Sequence, residues 1–206
     1  MGRDRAAREE ARPLRLFVAI EIPEEAKASV EEAFAPWRDV FPRARWVPPK
    51  NWHVTVKFLG RTWPRLRDWV PERVEAAAAG SRPFPTAISD VGSFPSRKRG
   101  RVLWAGLIDE EGGFAALASA VDRSLEGEFA AETRPFHPHL TVARSDPPVA
   151  LPPDYRETPL ASDPWEVDRV VLFQSHLQRP APRYEPMARF SLGGGVREHP
   201  TLREVQ

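Results

Sequence analysis

The sequence of 206 residues contains no cysteine, and this absence excludes several classes of protein. Without cysteine there is no disulfide framework, no cysteine-ligated zinc or iron–sulfur cluster and no thiol nucleophile. Chains without disulfides are typical of reducing compartments, so we expect a cytoplasmic protein. A chain of this length can bury a sizeable core without disulfides, as one large domain or two small ones.

Long apolar runs and an excess of charge of one sign are also absent. The longest apolar run, Leu16 to Ile20, is far too short to span a bilayer, and no apolar stretch follows the basic start of the chain. We therefore expect neither secretion nor a membrane partner. Lys and Arg total 30 against 29 acidic residues, a net charge of +1, so an anionic partner would have to be held by a local site.

What is present is the composition of a globular protein, 41% hydrophobic and 29% charged. Strand and helix patterns alternate without a regular βαβ rhythm, which predicts an α+β fold. The predicted strands are residues 14–22, 52–60, 87–94, 101–108, 135–144, 167–173 and 184–192, and the predicted helices are 24–37, 65–79 (bent or restarted at Pro71) and 112–125. Residues 1–13 predict a disordered extension, 145–164 an irregular surface loop and 193–206 a flexible tail.

The tripeptide His-x-Thr occurs twice, each time in an alternating apolar stretch that predicts a strand. The copies are His53-Val54-Thr55 and His139-Leu140-Thr141, one in each half of the chain. Because residues i and i+2 of a strand point to the same face, each copy presents an imidazole beside a hydroxyl. A single copy is most simply the solvated face of a half-buried strand. Two copies favour two similar lobes that face each other across a cleft.

Two imidazoles and two hydroxyls together suit chemistry at a phosphorus centre. One histidine can take a proton while the other gives one, and hydroxyls can donate to the non-bridging phosphate oxygens. Such a site needs no metal ion. His137 forms His-Pro-His with His139, which suggests a metal pair, but no acidic or cysteine cluster accompanies it in the sequence. We therefore expect no metal and interpret His137 as a neighbour that shapes the site entrance.

The segments around these motifs resemble the 2H phosphoesterase superfamily, and most closely its RNA 2′,3′-cyclic phosphodiesterase branch, also called 2′-5′ RNA ligase. The resemblance runs from Leu14 to Leu192 and is carried in order by LRLFVAIEIP, NWHVTVKFLG, RVLWAGL, FHPHLTVAR and LFQSHLQRPAPRYEPMARFSL. It implies a single bilobal α+β domain over residues 14–192. Two mostly antiparallel sheets would flank a central cleft, with helices outside and pseudo-two-fold symmetry.

The same resemblance implies hydrolysis of a terminal ribose 2′,3′-cyclic phosphate to a 2′-phosphomonoester, without a cofactor. His53 would be the general acid on the departing 3′-oxygen and His139 the general base on water, although exchanging the two roles contradicts nothing in the sequence. Thr55 and Thr141 would hold the phosphate oxygens, and Arg144 would add positive charge. The partner would be RNA or an oligonucleotide that ends in a 2′,3′-cyclic phosphate, bound by a monomer.

Two other functions could use the same groups. A 2′-5′ RNA ligase would run the chemical reverse, and a non-catalytic RNA-end binding module would hold the phosphate without turnover. Hydrolysis is favoured because water is abundant and a second RNA end is scarce, and a binding module would usually show a stronger basic field. Lys57, on the predicted face of His53, and the basic loop 97–101 offer further phosphate contacts, which compete with simple solvation.

Overall fold

The computed structural model describes residues 12–179 and 181–194, which form a large antiparallel sheet, a two-stranded sheet and helices. The strands are β1 Leu14–Glu21, β2 Arg45–Trp46, β3 His53–Thr62, β4 Phe84–Thr86, β5 Ile88–Pro95, β6 Arg99–Leu107, β7 His139–Ala150, β8 Trp165–Val167, β9 Arg169–His176 and β10 Arg183–Ser191. The α-helices are α1 Glu24–Val40, α2 Trp69–Ala79 and α3 Gly113–Ser124. Within these two ranges, no helix combines the length and the hydropathy needed to cross a membrane.

The large sheet consists of two halves that meet along the two His-x-Thr strands. The first half runs in the order β10-β9-β1-β3 and the second in the order β7-β6-β5, with β2 also paired to β7. The halves are joined through the pair Val54 and Leu140. In each half a strand is followed by a helix and pairs antiparallel with a His-x-Thr strand, as β1, α1 and β3 or as β6, α3 and β7. The predicted α+β fold with mostly antiparallel strands is confirmed, and the two predicted sheets are joined into one through this pair.

The two helices of this repeat pack across the halves. Helix α1 begins after Pro23 with two acidic residues in its first turn, and its buried stripe follows helical spacing. From that stripe, Phe34 and Trp37 contact Tyr155, and Phe34 also contacts Trp46 beside β7. Helix α3 instead packs against β3 and α2. Each half of the sheet is thus covered by a helix that follows a strand of the other half, which ties the halves together.

Each His-x-Thr strand has a β-bulge directly after its threonine. In β3 the residues on either side of Val56 pair with consecutive residues of β1, and in β7 the residues on either side of Val142 pair with consecutive residues of β6. One extra residue shifts the alternation of side chains by one position. The face that carries the histidine and threonine therefore next receives Phe58 in β3 and Arg144 in β7.

The bulge in β3 overturns the predicted position of Lys57. Instead of sharing the face of His53, Lys57 lies on the opposite face, only 9% exposed. Its Nζ donates to the carboxylate of Asp122 in α3 and to the carbonyl oxygen of Ala130 at 2.9 Å. Phe58, which strict alternation would bury on the face of Val54, is 68% exposed on the face of His53. Lys57 is therefore neither a phosphate ligand nor a solvated lysine.

Two further predictions from the sequence are corrected. Residues 145–164 are not an irregular loop throughout, because β7 continues to Ala150 and the 3-10 turn Pro153–Glu157 follows. The helix predicted at 65–79 begins at Trp69, so Pro71 lies in its first turn, where a proline costs no hydrogen bond and causes no bend. The predicted terminal extension and tail lie outside the described residues except for residues 12–13 and 193–194.

Candidate active site at the His-x-Thr strands

The pair between β3 and β7 brings the two His-x-Thr motifs side by side. The middle residue of one motif lies opposite the middle residue of the other in antiparallel register, and both are buried in the core. His53 therefore lies across from Thr141 and Thr55 across from His139, all four on the face away from that core. Directly opposed residues have β-carbons about 5 Å apart. The two imidazoles thus occupy diagonal corners of a square and the two hydroxyls the other corners.

Both imidazoles are held by the same kind of contact. Nδ1 of His53 lies 2.8 Å from the carbonyl oxygen of Asn51, and Nδ1 of His139 lies 2.7 Å from the carbonyl oxygen of His137. A carbonyl oxygen can only accept, so each Nδ1 carries a proton and donates it. The Nε2 atom of each ring is left to exchange a proton with a substrate.

Asn51 fixes the orientation of His53, a role that the sequence analysis missed. The residue is 6% exposed in the short turn Pro49–Asn51, and its side-chain amide donates to the carbonyl oxygen of Pro182 at 2.7 Å. This bond anchors the peptide whose carbonyl receives the imidazole. A short amide side chain in a proline-rich turn is a typical backbone-bonding residue, and this is the signal that could have identified it.

An aromatic wall surrounds His53 in the first half of the sheet. The ring centroid of His53 lies 4.9 Å from that of Phe17 and 5.2 Å from that of Tyr184, which meets it edge-on. Phe17 stacks on Phe173 at 5.2 Å. These residues belong to a small cluster that is separate from the main core. Tyr184 could not be placed next to His53 from the sequence, because this position depends on the pairing of four strands.

A second aromatic wall surrounds His139. Its ring centroid lies 5.0 Å from that of Phe94, edge-on, and His137 packs on Trp104 with centroids 4.9 Å apart. Trp104 can lie across the sheet because Gly92 faces it: a β-carbon there would overlap the indole ring. His137 thus neighbours His139, as expected. In the part of the chain that the structure describes, no group of three His, Cys, Asp or Glu side chains is placed to hold a metal ion.

The surroundings of both histidines favour the neutral imidazole. Burial lowers the pKa of His53 from 6.5 to about 4, partly opposed by the bond to Asn51, and the positive charge of Arg144 lowers it further. Burial also lowers the pKa of His139, partly opposed by the bond to the backbone of His137, while electrostatic repulsion from the His137 side chain and from Arg144 lowers it further. A bound anion would raise both pKa values.

Arg144 supplies positive charge beside the two motifs. Its guanidinium lowers the pKa of His53 and of His139 and counteracts the effect of burial on the pKa of Tyr184, so its field reaches both motifs. The side chain is exposed, and among residues 12–179 and 181–194 no carboxylate pairs with it. The arrangement can therefore hold an anion between two neutral imidazoles.

A comparison with models of known protein families shows to which family the chain belongs. The family model of the 2′-5′ RNA ligase superfamily matches residues 22–179. The chain belongs to this superfamily. The family resemblance read from the sequence is thereby confirmed.

Relatives of this superfamily member are similar over most of its length. It is 31% identical over 180 residues to an RNA 2′,3′-cyclic phosphodiesterase of Geobacillus stearothermophilus, a match that covers 86% of this chain and 57% of that protein. It is 33% identical over 197 residues to an RNA 2′,3′-cyclic phosphodiesterase of Thermus thermophilus, with 88% of this chain and 91% of that protein covered. The chain thus spans little more than half of the first relative and nearly all of the second.

Solved structures show the same fold. The crystal structure of the Thermus thermophilus protein TT0787 is 30% identical with a TM-score of 0.76, covering 89% of this chain and 100% of that one. The crystal structure of Escherichia coli LigT complexed with phosphate is 26% identical with a TM-score of 0.65, covering 88% of this chain and 98% of that one. Both likenesses agree with the α+β fold of this superfamily member.

Within this member of the 2′-5′ RNA ligase superfamily, the residues predicted from the sequence converge on one face. His53, Thr55, His139, Thr141 and Arg144 lie together on one face of the large sheet, where the sequence predicts the cleft. The basic loop forms the tip of the hairpin between β5 and β6.

Proposed function

We propose that this protein hydrolyses a terminal RNA 2′,3′-cyclic phosphate to a 2′-phosphomonoester, through His53 and His139 and without a metal ion. The observation that carries the proposal is the pairing of β3 with β7, which brings the two histidines to one face of the sheet, each bound to a backbone carbonyl through Nδ1. The enzyme class is supported by the relatives named RNA 2′,3′-cyclic phosphodiesterase. The bound phosphate in LigT supports a phosphate site in this fold.

The diagonal position of the imidazoles suits an in-line displacement. One imidazole takes a proton from water as the water oxygen bonds to phosphorus, while the bond from phosphorus to the 3′-oxygen breaks and the other imidazole protonates that oxygen. The products are a 2′-phosphomonoester and a free 3′-hydroxyl. The two imidazoles have then exchanged protonation states, and a proton transfer through solvent resets them.

The remaining polar groups face the charge that develops on the phosphate. Thr55 and Thr141 donate from the other two corners of the square, and Arg144 adds a charge-assisted contact to a non-bridging oxygen. These donors are in place before the reaction, so they stabilise the transition state without reorganisation. This supply of positive charge by the protein supports a reaction that needs no metal ion.

We assign His53 as the acid and His139 as the base, following the family resemblance. An acid must carry its proton before the reaction, and the pKa of about 4 leaves His53 neutral at pH 7 in the free protein. The negative charge of the bound phosphate raises that pKa. In this assignment, His53 becomes protonated only when the substrate is bound.

The test is incubation of the purified protein with an oligonucleotide that ends in a 2′,3′-cyclic phosphate, in excess EDTA, followed by phosphorus NMR of the product. We expect a 2′-phosphomonoester formed at an undiminished rate. A predominantly 3′-phosphate product would contradict the proposed orientation of the substrate. Activity that is lost in EDTA and restored by zinc or magnesium would contradict the metal-free mechanism, and joining of two RNA ends in place of hydrolysis would establish the ligase.

A further inference from the structure

The short strand β2 places a second arginine beside Arg144. Arg45 pairs directly with Arg144 across the antiparallel strands, so the two side chains share one face of the sheet. The next residue, Trp46, points the other way, since its ring contacts Phe34 of helix α1. Arg45 is exposed and therefore lies on the cleft side, beyond Arg144 as seen from His139.

Two like charges in directly opposed positions of a sheet destabilise it. No carboxylate among the described residues pairs with Arg45 or with Arg144, whereas the nearby Arg101 is paired with Asp146 at 2.6 Å. Anions that lie between or beside the two guanidinium groups relieve the repulsion between them. Each guanidinium can bind phosphate oxygens in a bidentate manner.

Directly after the two motifs, the halves differ in charge on this face of the sheet. Arg144 lies three residues beyond Thr141, and the residue three beyond Thr55 is Phe58. The ring of Phe58 lies 6.0 Å from that of Phe17, and it carries no charge. In the first half, the exposed arginines Arg15 and Arg61 are paired with each other, but only beyond Phe58. A chain of phosphates that starts between the two motifs therefore meets its nearest further cation in the second half, along β7 and β2.

We propose that Arg45 binds the phosphate that links the terminal nucleotide to the rest of the RNA, so that the protein prefers oligonucleotides to cyclic mononucleotides. The inference rests on the proposed function, because it requires the terminal cyclic phosphate to be held at Arg144. A 2′,3′-cyclic mononucleotide has only that one phosphate and cannot use Arg45. A dinucleotide with the same end has the second.

The test compares kcat/KM for 2′,3′-cyclic AMP and for an adenosine dinucleotide that ends in a 2′,3′-cyclic phosphate. A third substrate carries a neutral methylphosphonate at the internucleotide linkage. The variants are Arg45→Ala and, as a matched control, Arg43→Ala, since Arg43 is also exposed but lies outside β2 and has no partner in β7.

For the wild type we expect a higher kcat/KM with the dinucleotide than with the mononucleotide. Arg45→Ala should lower the ratio of the two values about tenfold or more, because a charge-assisted contact to phosphate is lost. Arg43→Ala should preserve the ratio. In the wild type, kcat/KM for the methylphosphonate dinucleotide should be lower than for the natural dinucleotide by a similar factor. Arg45→Ala should cause no further loss of kcat/KM on the methylphosphonate dinucleotide.

An Arg45→Ala variant that keeps the wild-type ratio would overturn the inference while leaving the proposed function intact. This includes a variant whose kcat/KM falls by the same factor for the mononucleotide and for the natural dinucleotide. A loss that persists with the neutral linkage would also overturn it, since the contact would not then depend on the phosphate charge. If the wild-type protein hydrolysed neither substrate, the proposed function itself would fail, and this inference with it.

Discussion

At the scale of single residues, the two imidazoles have equivalent contacts in unequal surroundings. Each donates from Nδ1 to the carbonyl oxygen two residues earlier, but only for His53 does the pKa fall as far as about 4. The residue types and their spacing were readable from the sequence. The partner Tyr184 was not, because its contact with His53 joins segments that are far apart in the chain. Asn51 was missed although its amide in a proline-rich turn was a usable signal.

The pKa shifts predict the pH dependence of the reaction. Because burial lowers the pKa of both histidines below 6.5 in the free protein, the form with one charged imidazole is lost as the pH rises, and kcat/KM should decline above pH 6.5. The bound phosphate raises both values, so the decline of kcat should lie at higher pH. Measuring kcat/KM and kcat from pH 4 to pH 9 tests both expected declines.

His176 provides the control for this experiment. Its imidazole pairs with Glu185 at 2.9 Å and has no contact with either motif, so His176→Ala should keep the profile of the wild type. A kcat/KM that rises steadily from pH 6.5 to pH 8 would contradict the assigned histidine environments.

At the scale of elements, the β-bulges decide which residues face the cleft. The existence of β3 and β7 could be predicted from the alternation of apolar and polar residues. The bulges at Val56 and Val142 could not, because they depend on how β1 and β6 pair with these two strands. This is why Lys57 was placed on the wrong face while Arg144 was placed near the site. Strand β2, with two residues, is too short to show any periodicity, so Arg45 could not be found from the sequence.

The inward turn of Lys57 creates a buried ion pair that links β3 to α3. Asp122 accepts from Lys57 and from the backbone N–H of Glu132 at 3.2 Å, so the pair also holds the segment that leads to the second motif. Removing one partner of a buried pair leaves an uncompensated charge and typically costs about 3–5 kcal/mol. We expect Lys57→Met to lower the free energy of unfolding by about this amount in urea titrations.

The control is Lys27→Met, which breaks a pair whose partner Glu24 is 83% exposed and which should cost at most about 1 kcal/mol. The double variant Lys57→Met/Asp122→Leu should recover much of the loss, because no buried charge is left unpaired. If Lys57→Met were as mild as Lys27→Met, the buried pair would not have the role assigned to it.

At the scale of the whole molecule, the site exists only where the two halves meet. Each half contributes one His-x-Thr strand, and helices α1 and α3 pack on the half opposite to the strand that they follow. The internal repeat was predicted from the two motifs. The joining of the halves at one pair of residues was not, because local patterns carry no information about which strand edges meet.

The central claim is that His53 and His139 act as one acid–base unit on a single phosphate. The most direct measurement is a double-mutant cycle: single-turnover rates on an oligonucleotide with a 2′,3′-cyclic phosphate end for the wild type, His53→Ala, His139→Ala and the double variant, with circular dichroism as a check of folding. Each single change should cost about a hundred- to ten-thousand-fold, and the double variant much less than the product of the two losses. A folded single variant that retains a near wild-type rate, or losses that multiply fully in the double variant, would contradict the account.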